Sequence, residues 1–247
     1  MPIGSTSSFV ATRDDVINRA LRLVSAIGQT EVGDPGAVTE ASLALNMLIK
    51  EWQGDGMQLW KISTINFPVV ATKGSYAIGV GASDINQEAP LKIIQAYSRP
   101  GTGAQPDAPF SIFTKQEYDM YSSKSIPGTP TQLFYKTPGP TTGAMTGTIY
   151  LLPVPTTTDV TNSLNIYLTG VFPLRDFTAS TDNPDLPSYY YNALCWGLAD
   201  QLSTEYGVPL SERGFIQNKA QMHLEKAKGF DIEEGSIYFQ PGSEGDS

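Results

Sequence analysis

The chain has 247 residues, of which 40% are hydrophobic and 17% charged, and a formal net charge of −9. That length supplies one large domain or two small ones with a sizeable core, and the composition excludes a disordered chain. The charge also argues against groove binding to DNA, because that needs clustered Lys and Arg on the phosphates and the 16 basic residues here are scattered; an acidic wall facing DNA without gripping it is still allowed.

Residues 1–11 are small and polar and read as an arm, without the basic and apolar regions of a secretory signal. Thr12, with Asp15 three residues on, is close to a capping box. Val16, Ile17, Ala20, Leu21, Val24 and Ile27 follow at helical spacing, and Gly28 is expected to end this first helix. Asp34-Pro35 opens a second, whose apolar stripe is Ala37, Ala41, Leu45, Leu48, Ile49 and Trp52, and Gly54 and Gly56 stop it. From Trp60 the pattern turns to strands: residues 60–67, 74–79, 91–97, 133–136, 148–152 and 164–169. Residues 101–109 are expected as a loop and 111–123 as a short helix. Pro153 and Pro155 place the 148–152 strand at a sheet edge. The Gly and Pro turns between strands suggest a small antiparallel barrel or sandwich.

Pro184 to Pro187 marks the return to helix. Tyr191, Leu194, Cys195, Leu198 and Leu202 form one stripe, and Gly207 caps it. Ser211 opens a fourth helix with Phe215, Ile216, Ala220, Leu224 and Ala227, ending at Gly229. The fold class is therefore α+β. A four-helix body is drawn from the two chain ends (residues 12–58 and 184–230), with an inserted antiparallel β-rich domain (59–183) and an extended C-terminal arm (231–247).

Little in the chain points to catalysis. Cys195 is the only cysteine and His223 the only histidine, so neither an intrachain disulfide nor a His-based zinc site is possible. Cys195 sits in an apolar run and reads as a buried thiol, and His223 as a solvated helix residue. Gly79-x-Gly81 and Gly101-x-Gly103 lack the third glycine and lysine of phosphate loops and read as turns. Asp14-Asp15, Asp182 with Asp185, and Glu233-Glu234 are the visible carboxylate pairs. The first pair suits a helix N-terminus, the second a turn and cap, and the third lies in a polar tail. No cofactor or metal is expected, and no stretch approaches the roughly 18 apolar residues of a membrane helix. Tyr189, Tyr190 and Tyr191 read as a mixture of core and subunit interface, with Tyr189 and Tyr190 as the interface candidates. Ile237, Tyr238 and Phe239 form an apolar triplet inside a polar tail, which either folds back on its own body or anchors on a partner.

Several residue runs resemble a known family. They begin with Glu51-Trp52-Gln53 and Gly56-Met57-Gln58-Leu59-Trp60, then Pro127-Gly128-Thr129-Pro130 running into Leu133-Phe134-Tyr135. Gly147-Thr148-Ile149-Tyr150-Leu151-Leu152-Pro153-Val154-Pro155 follows. Leu186-Pro187, Tyr190, Ala193-Leu194, Trp196-Gly197-Leu198-Ala199 and Glu205-Tyr206-Gly207 close the pattern. In this order, over residues 12–230, the chain resembles the head-to-tail adaptor of short-tailed bacteriophages, also called the tail accessory or packaged-DNA stabilisation protein. The more distant tail tubular protein A shares the plan. The resemblance implies a non-enzymatic virion protein of the phage neck, forming a ring of 12 copies beneath the portal protein. Double-stranded DNA would pass through the channel without specific binding. The β-rich block would meet the tail nozzle or a tail fibre protein, and the arm would lie along the portal with Ile237, Tyr238 and Phe239 as anchors. From a different class, a carbohydrate-active module of a phage tail, either a lectin-like binder or a cell-wall hydrolase, is the alternative.

Overall fold

The computed structural model describes residues 9–56, 61–101, 106–139 and 145–230. The chain is α+β and divides into two compact units. One joins Met1–Met57 to Asp176–Ser247, and the other is the intervening Gln58–Arg175.

In the first unit, α1 (Arg13–Leu23) opens on the expected capping box: Thr12 Oγ1 accepts from the Asp15 N–H at 3.2 Å, and the Asp15 carboxylate accepts from the Thr12 N–H at 3.0 Å. The helix ends at Leu23 rather than running to Gly28. Ser25 takes a left-handed φ of 57°, which breaks the helical path three residues before the glycine. α2 (Pro35–Gly54) starts at Asp34, whose carboxylate accepts from the Gly36 N–H. A 3₁₀ turn (Ser188–Tyr190) leads into α5 (Tyr191–Glu205), and α6 (Leu210–Phe230) follows a turn through Gly207, φ 67°. α5 packs against α1, α2 and α6, and α1 against α2. Ile17 and Leu21 of α1, Leu45 and Ile49 of α2, and Leu194, Leu198 and Leu202 of α5 form the enclosed centre. Burying each such side chain contributes about 1.5–3 kcal/mol. Gly197 lets α5 approach α2 closely, since a Cβ there would lie 3.1 Å from Leu48 Cδ2 and 3.4 Å from Trp52 Cζ2. Among the described residues of α6, Ile216 and Ala227 are the buried apolar ones.

Residues 176–183 belong with these helices although they contain none. The Asn46 side chain donates to the Phe177 carbonyl (3.1 Å) and accepts from the Phe177 N–H (2.8 Å), as a neighbouring strand would. Lys50 pairs with Asp176, and the Arg13 N–H donates to the Asp182 carbonyl at 2.7 Å.

The second unit is two open four-stranded sheets, not a closed barrel. One sheet has the order β1 (Ile62–Pro68), β8 (Asn165–Val171), β3 (Lys92–Arg99), β4 (Ala108–Pro109). The other runs β2 (Ser75–Ile78), β7 (Gly147–Leu152), β6 (Gln132–Lys136), β5 (Ser111–Phe113). All pairings are antiparallel except β5 with β6. One core lies between the sheets: Phe67, Ala96, Ile166 and Leu168 from the first meet Tyr76, Ile78, Leu133, Ile149 and Leu151 from the second. The short helices α3 (Lys115–Met120) and α4 (Thr157–Thr161) complete the unit.

Three local expectations change. The 101–109 segment holds strand β4. Residues 111–123 are not one helix: Thr114 caps α3 with Glu117, and the chain before it is β5. The strand at 148–152 lies inside its sheet between β2 and β6, because Pro153 and Pro155 come after its last ladder residue and cost it no hydrogen bond.

Candidate functional site

The tyrosine triplet splits by geometry. A 3₁₀ turn rotates successive side chains by about 120°, so adjacent residues at 188–190 point to different environments. Tyr190 is fully enclosed, its ring 6.2 Å from Trp52, while Tyr189 is 41% exposed. Of the two interface candidates, only Tyr189 therefore offers its ring to a neighbour. Ile237, Tyr238 and Phe239, like Glu233 and Glu234, lie outside the described residues. The helical unit also carries apolar side chains on its surface. Leu43 (54% exposed) and Met47 (60%) sit one turn apart on α2, and α6 exposes Leu210 (83%) and, five residues on, Phe215 (59%). Their signal was present, since Leu43 and Met47 fall off the Ala41–Leu45–Leu48 stripe. Phe215 packs edge-on against Trp196, which also stacks on His223 at 6.2 Å.

Partial burial of His223, with Lys226 and Lys219 nearby, holds its imidazole below the usual value. Burial pushes the Cys195 thiol up to about 11, with Arg19 opposing, so the sulfur is protonated at neutral pH. Among the described residues, no group of three His, Cys, Asp or Glu is placed to hold a metal ion, and no helix is long and apolar enough to cross a membrane. A groove of about 380 Å³ between α2, α5 and α6 is lined by apolar side chains such as Leu48, Trp52 and Leu224 and by polar ones such as Glu51, Asp200 and Gln221. Burial raises the Asp200 carboxyl there.

In the β-rich unit the carboxylates serve the fold. Lys73 and the Ala77 N–H hold Asp84 low. The two nitrogens of Arg99 hold Asp107 low, each at 2.7 Å. The Thr114 cap does so for Glu117. Burial opposes ionisation of Asp159, but hydrogen bonds from Thr156 and Thr129 outweigh it and the carboxyl is lowered. In the helical unit, Asp14 bonds to its neighbour Arg13, and the Asp182 carboxylate accepts from the Thr178 and Ala179 N–H groups, closing a turn. Gly81 (φ 78°) sits in the turn that links β2 to the chain around Ile85. A cleft of about 610 Å³ is lined in part by Tyr118, Lys124, Ser125, Tyr150 and Thr156. The Tyr118 ring stacks on Phe134 at 4.7 Å, and Lys124 Nζ lies 5.0 Å from its centroid.

The four sheet edges differ sharply in their protection. β4 is two residues long and ends in Pro109. β2 is covered by the chain at Asp84 and Ile85, which takes up the Ala77 N–H and bridges to Ile78. β5 is three residues and runs straight into the α3 cap. β1 has seven residues, with no lysine, glutamate or bulge, and its only proline at the end. Its ladder bonds fix which groups point outward. The Phe172 N–H donates to the Lys61 carbonyl and the Val69 N–H to the Leu164 carbonyl, so odd-numbered residues face β8. The N–H and C=O groups of Ile62, Thr64 and Asn66 therefore point away from the sheet, and among the described residues nothing pairs with them. Beside this edge, on the core side, lies a groove of about 290 Å³ lined by Lys61, Ser63, Ile65, Gln87, Glu88 and Phe172.

No protein-family model matches the chain, and a search of curated proteins returns no significant relative.

Proposed function

We propose that the chain is a virion structural protein: a head-to-tail adaptor that forms a ring under a portal, extends the DNA channel and carries the attachment site for tail components. The observation that supports this reading is the assembly of one helical unit from both chain ends, with a β-rich excursion of residues 58–175 between them. A ring-forming four-helix body needs a heterologous contact, in which two different patches on each subunit are complementary to each other. The exposed Leu43 and Met47 on α2 and the exposed Leu210 and Phe215 on α6 supply apolar surface on two separate elements. The net charge of −9 suits a conduit, since acidic walls do not hold phosphates and DNA slides past them. The ordered resemblance of residues 12–230 to phage adaptors points the same way.

The test is to mix the full-length chain with purified portal rings and image them by electron microscopy. An added ring beneath the portal, with 12-fold symmetry, is the expected outcome. Portal rings that stay bare at saturating concentrations of the chain would sink the reading.

The cleft beside Tyr118 and Tyr150 favours a second reading, a carbohydrate-binding module, because aromatic rings with nearby hydroxyls suit sugars. Titration with soluble cell-wall oligosaccharides, followed by tyrosine fluorescence, separates the two. Saturable quenching that Tyr150→Ala abolishes would favour the module.

A further inference from the structure

We infer that the open edge of β1 is an acceptor for an added β-strand, and that its occupant is the segment Ser236–Gln240 of a second copy of this chain. The inference is independent of the adaptor reading and gives Ile237, Tyr238 and Phe239 a partner other than the portal.

The acceptor is argued from what the other edges lack. Natural sheets blunt exposed edges with proline, charge, a bulge or a covering segment, and an unblunted edge is a template for another strand. Three of the four edges here are blunted or covered, and β1 is not. It offers three N–H groups, at Ile62, Thr64 and Asn66, together with their carbonyls, over the uncharged run Ile62 to Asn66. Pro68 ends the template, having no N–H to give.

The occupant is argued from the chain that continues past α6. That helix ends at Phe230, and residues 231–247 follow. Gly235 on one side and Pro241-Gly242 on the other bracket five residues, Ser-Ile-Tyr-Phe-Gln, with no charge and high strand propensity. The length equals that of the template. Residues 231–235 form a tether with a reach of about 17 Å. In antiparallel register, with Tyr238 opposite Thr64, Ser236 meets Asn66 and Gln240 meets Ile62. Ile237 then lies beside Ile65, and Phe239 beside Ser63 and Phe172, in the groove of about 290 Å³ that flanks this edge. Tyr238 falls on the opposite face, where the row Asn66, Tyr167, Tyr97 already carries two stacked rings 4.9 Å apart. Backbone bonds supply affinity, and the alternate side chains supply register. Donor and acceptor are different surfaces of one sequence, so the contact repeats from copy to copy.

Thr64→Pro tests the acceptor. The Thr64 N–H points away from β8, so proline removes an edge donor and leaves the ladder intact. Thr64→Val removes the hydroxyl bond to Thr169 (2.8 Å) and keeps the N–H. Sedimentation of the full-length chain should show self-association, weakened about tenfold or more by Thr64→Pro and by Ile237→Asp, and unchanged by Thr64→Val. Thermal melts confirm that each variant is folded. As a second measurement, Thr64→Cys and Tyr238→Cys molecules, each also carrying Cys195→Ala, are mixed and oxidised. A mixed disulfide dimer is expected, since opposed strand residues have the Cα spacing a disulfide requires. A wild-type chain that stays monomeric at high micromolar concentration, a Thr64→Pro variant that associates like wild type, or an absent mixed dimer would each overturn the inference. None of these results bears on whether portal rings recruit the chain.

Discussion

Asp159 is 5% exposed, and its carboxylate is held from three sides. The Thr156 N–H (2.8 Å) and hydroxyl (2.7 Å) reach one oxygen, and the Thr129 hydroxyl (2.7 Å) reaches the other. The residue thereby caps α4 and ties it to the chain before β6. Asp159→Ala leaves two hydroxyls and an N–H to find other partners, at a cost of about 1–3 kcal/mol at pH 7. Because the folded-state carboxyl is lowered, its contribution is complete above the ordinary carboxylate value, about 3.9, and is lost as the pH falls through the folded-state value. Denaturant titrations at several pH values should therefore show the gap between wild type and Asp159→Ala narrowing below about pH 4. A gap independent of pH would mean that the carboxylate's charge plays no part.

The segment of residues 176–183 is fastened to the helices by side chains rather than by secondary structure. Asn46→Ala removes both bonds to Phe177 and should lower the stability of the helical unit by about 1–3 kcal/mol in denaturant titrations, with an unchanged m-value. The caps at Thr12 and Asp34 and the stripes of α1, α2 and α5 are local patterns, and local patterns were readable in the sequence. α4 was missed because its Thr-rich run reads as strand or loop, and only the Thr156–Asp159 pairing reveals the cap. β4 and β5 were missed because strands of two or three residues are defined by their partners, not by their own periodicity. The candidate surfaces were less legible still. Tyr190 and Tyr189 are chemically equal in the sequence, and only the 3₁₀ turn separates them. The bare edge of β1 depends on sheet order, which single-strand patterns do not carry.

At the scale of the whole molecule, charge is the property that bears most directly on a conduit. The chain carries 25 acidic and 16 basic residues, and the described bases Lys50, Lys73, Arg99 and Lys115 are already paired with carboxylates. The acidic excess repels phosphates, so duplex DNA mixed with the protein at physiological salt should migrate in a gel as it does alone. Retardation there would remove the argument for a passive channel. The fastening of residues 176–183 to Asn46, Lys50 and Arg13 has a different consequence. The C-terminal foot of the excursion is gripped by the helices themselves, through side chains and backbone outside the intervening hundred or so residues. That stretch is exchangeable cargo: over evolutionary time it can lengthen, shrink or be swapped for another module while the chassis stays the same.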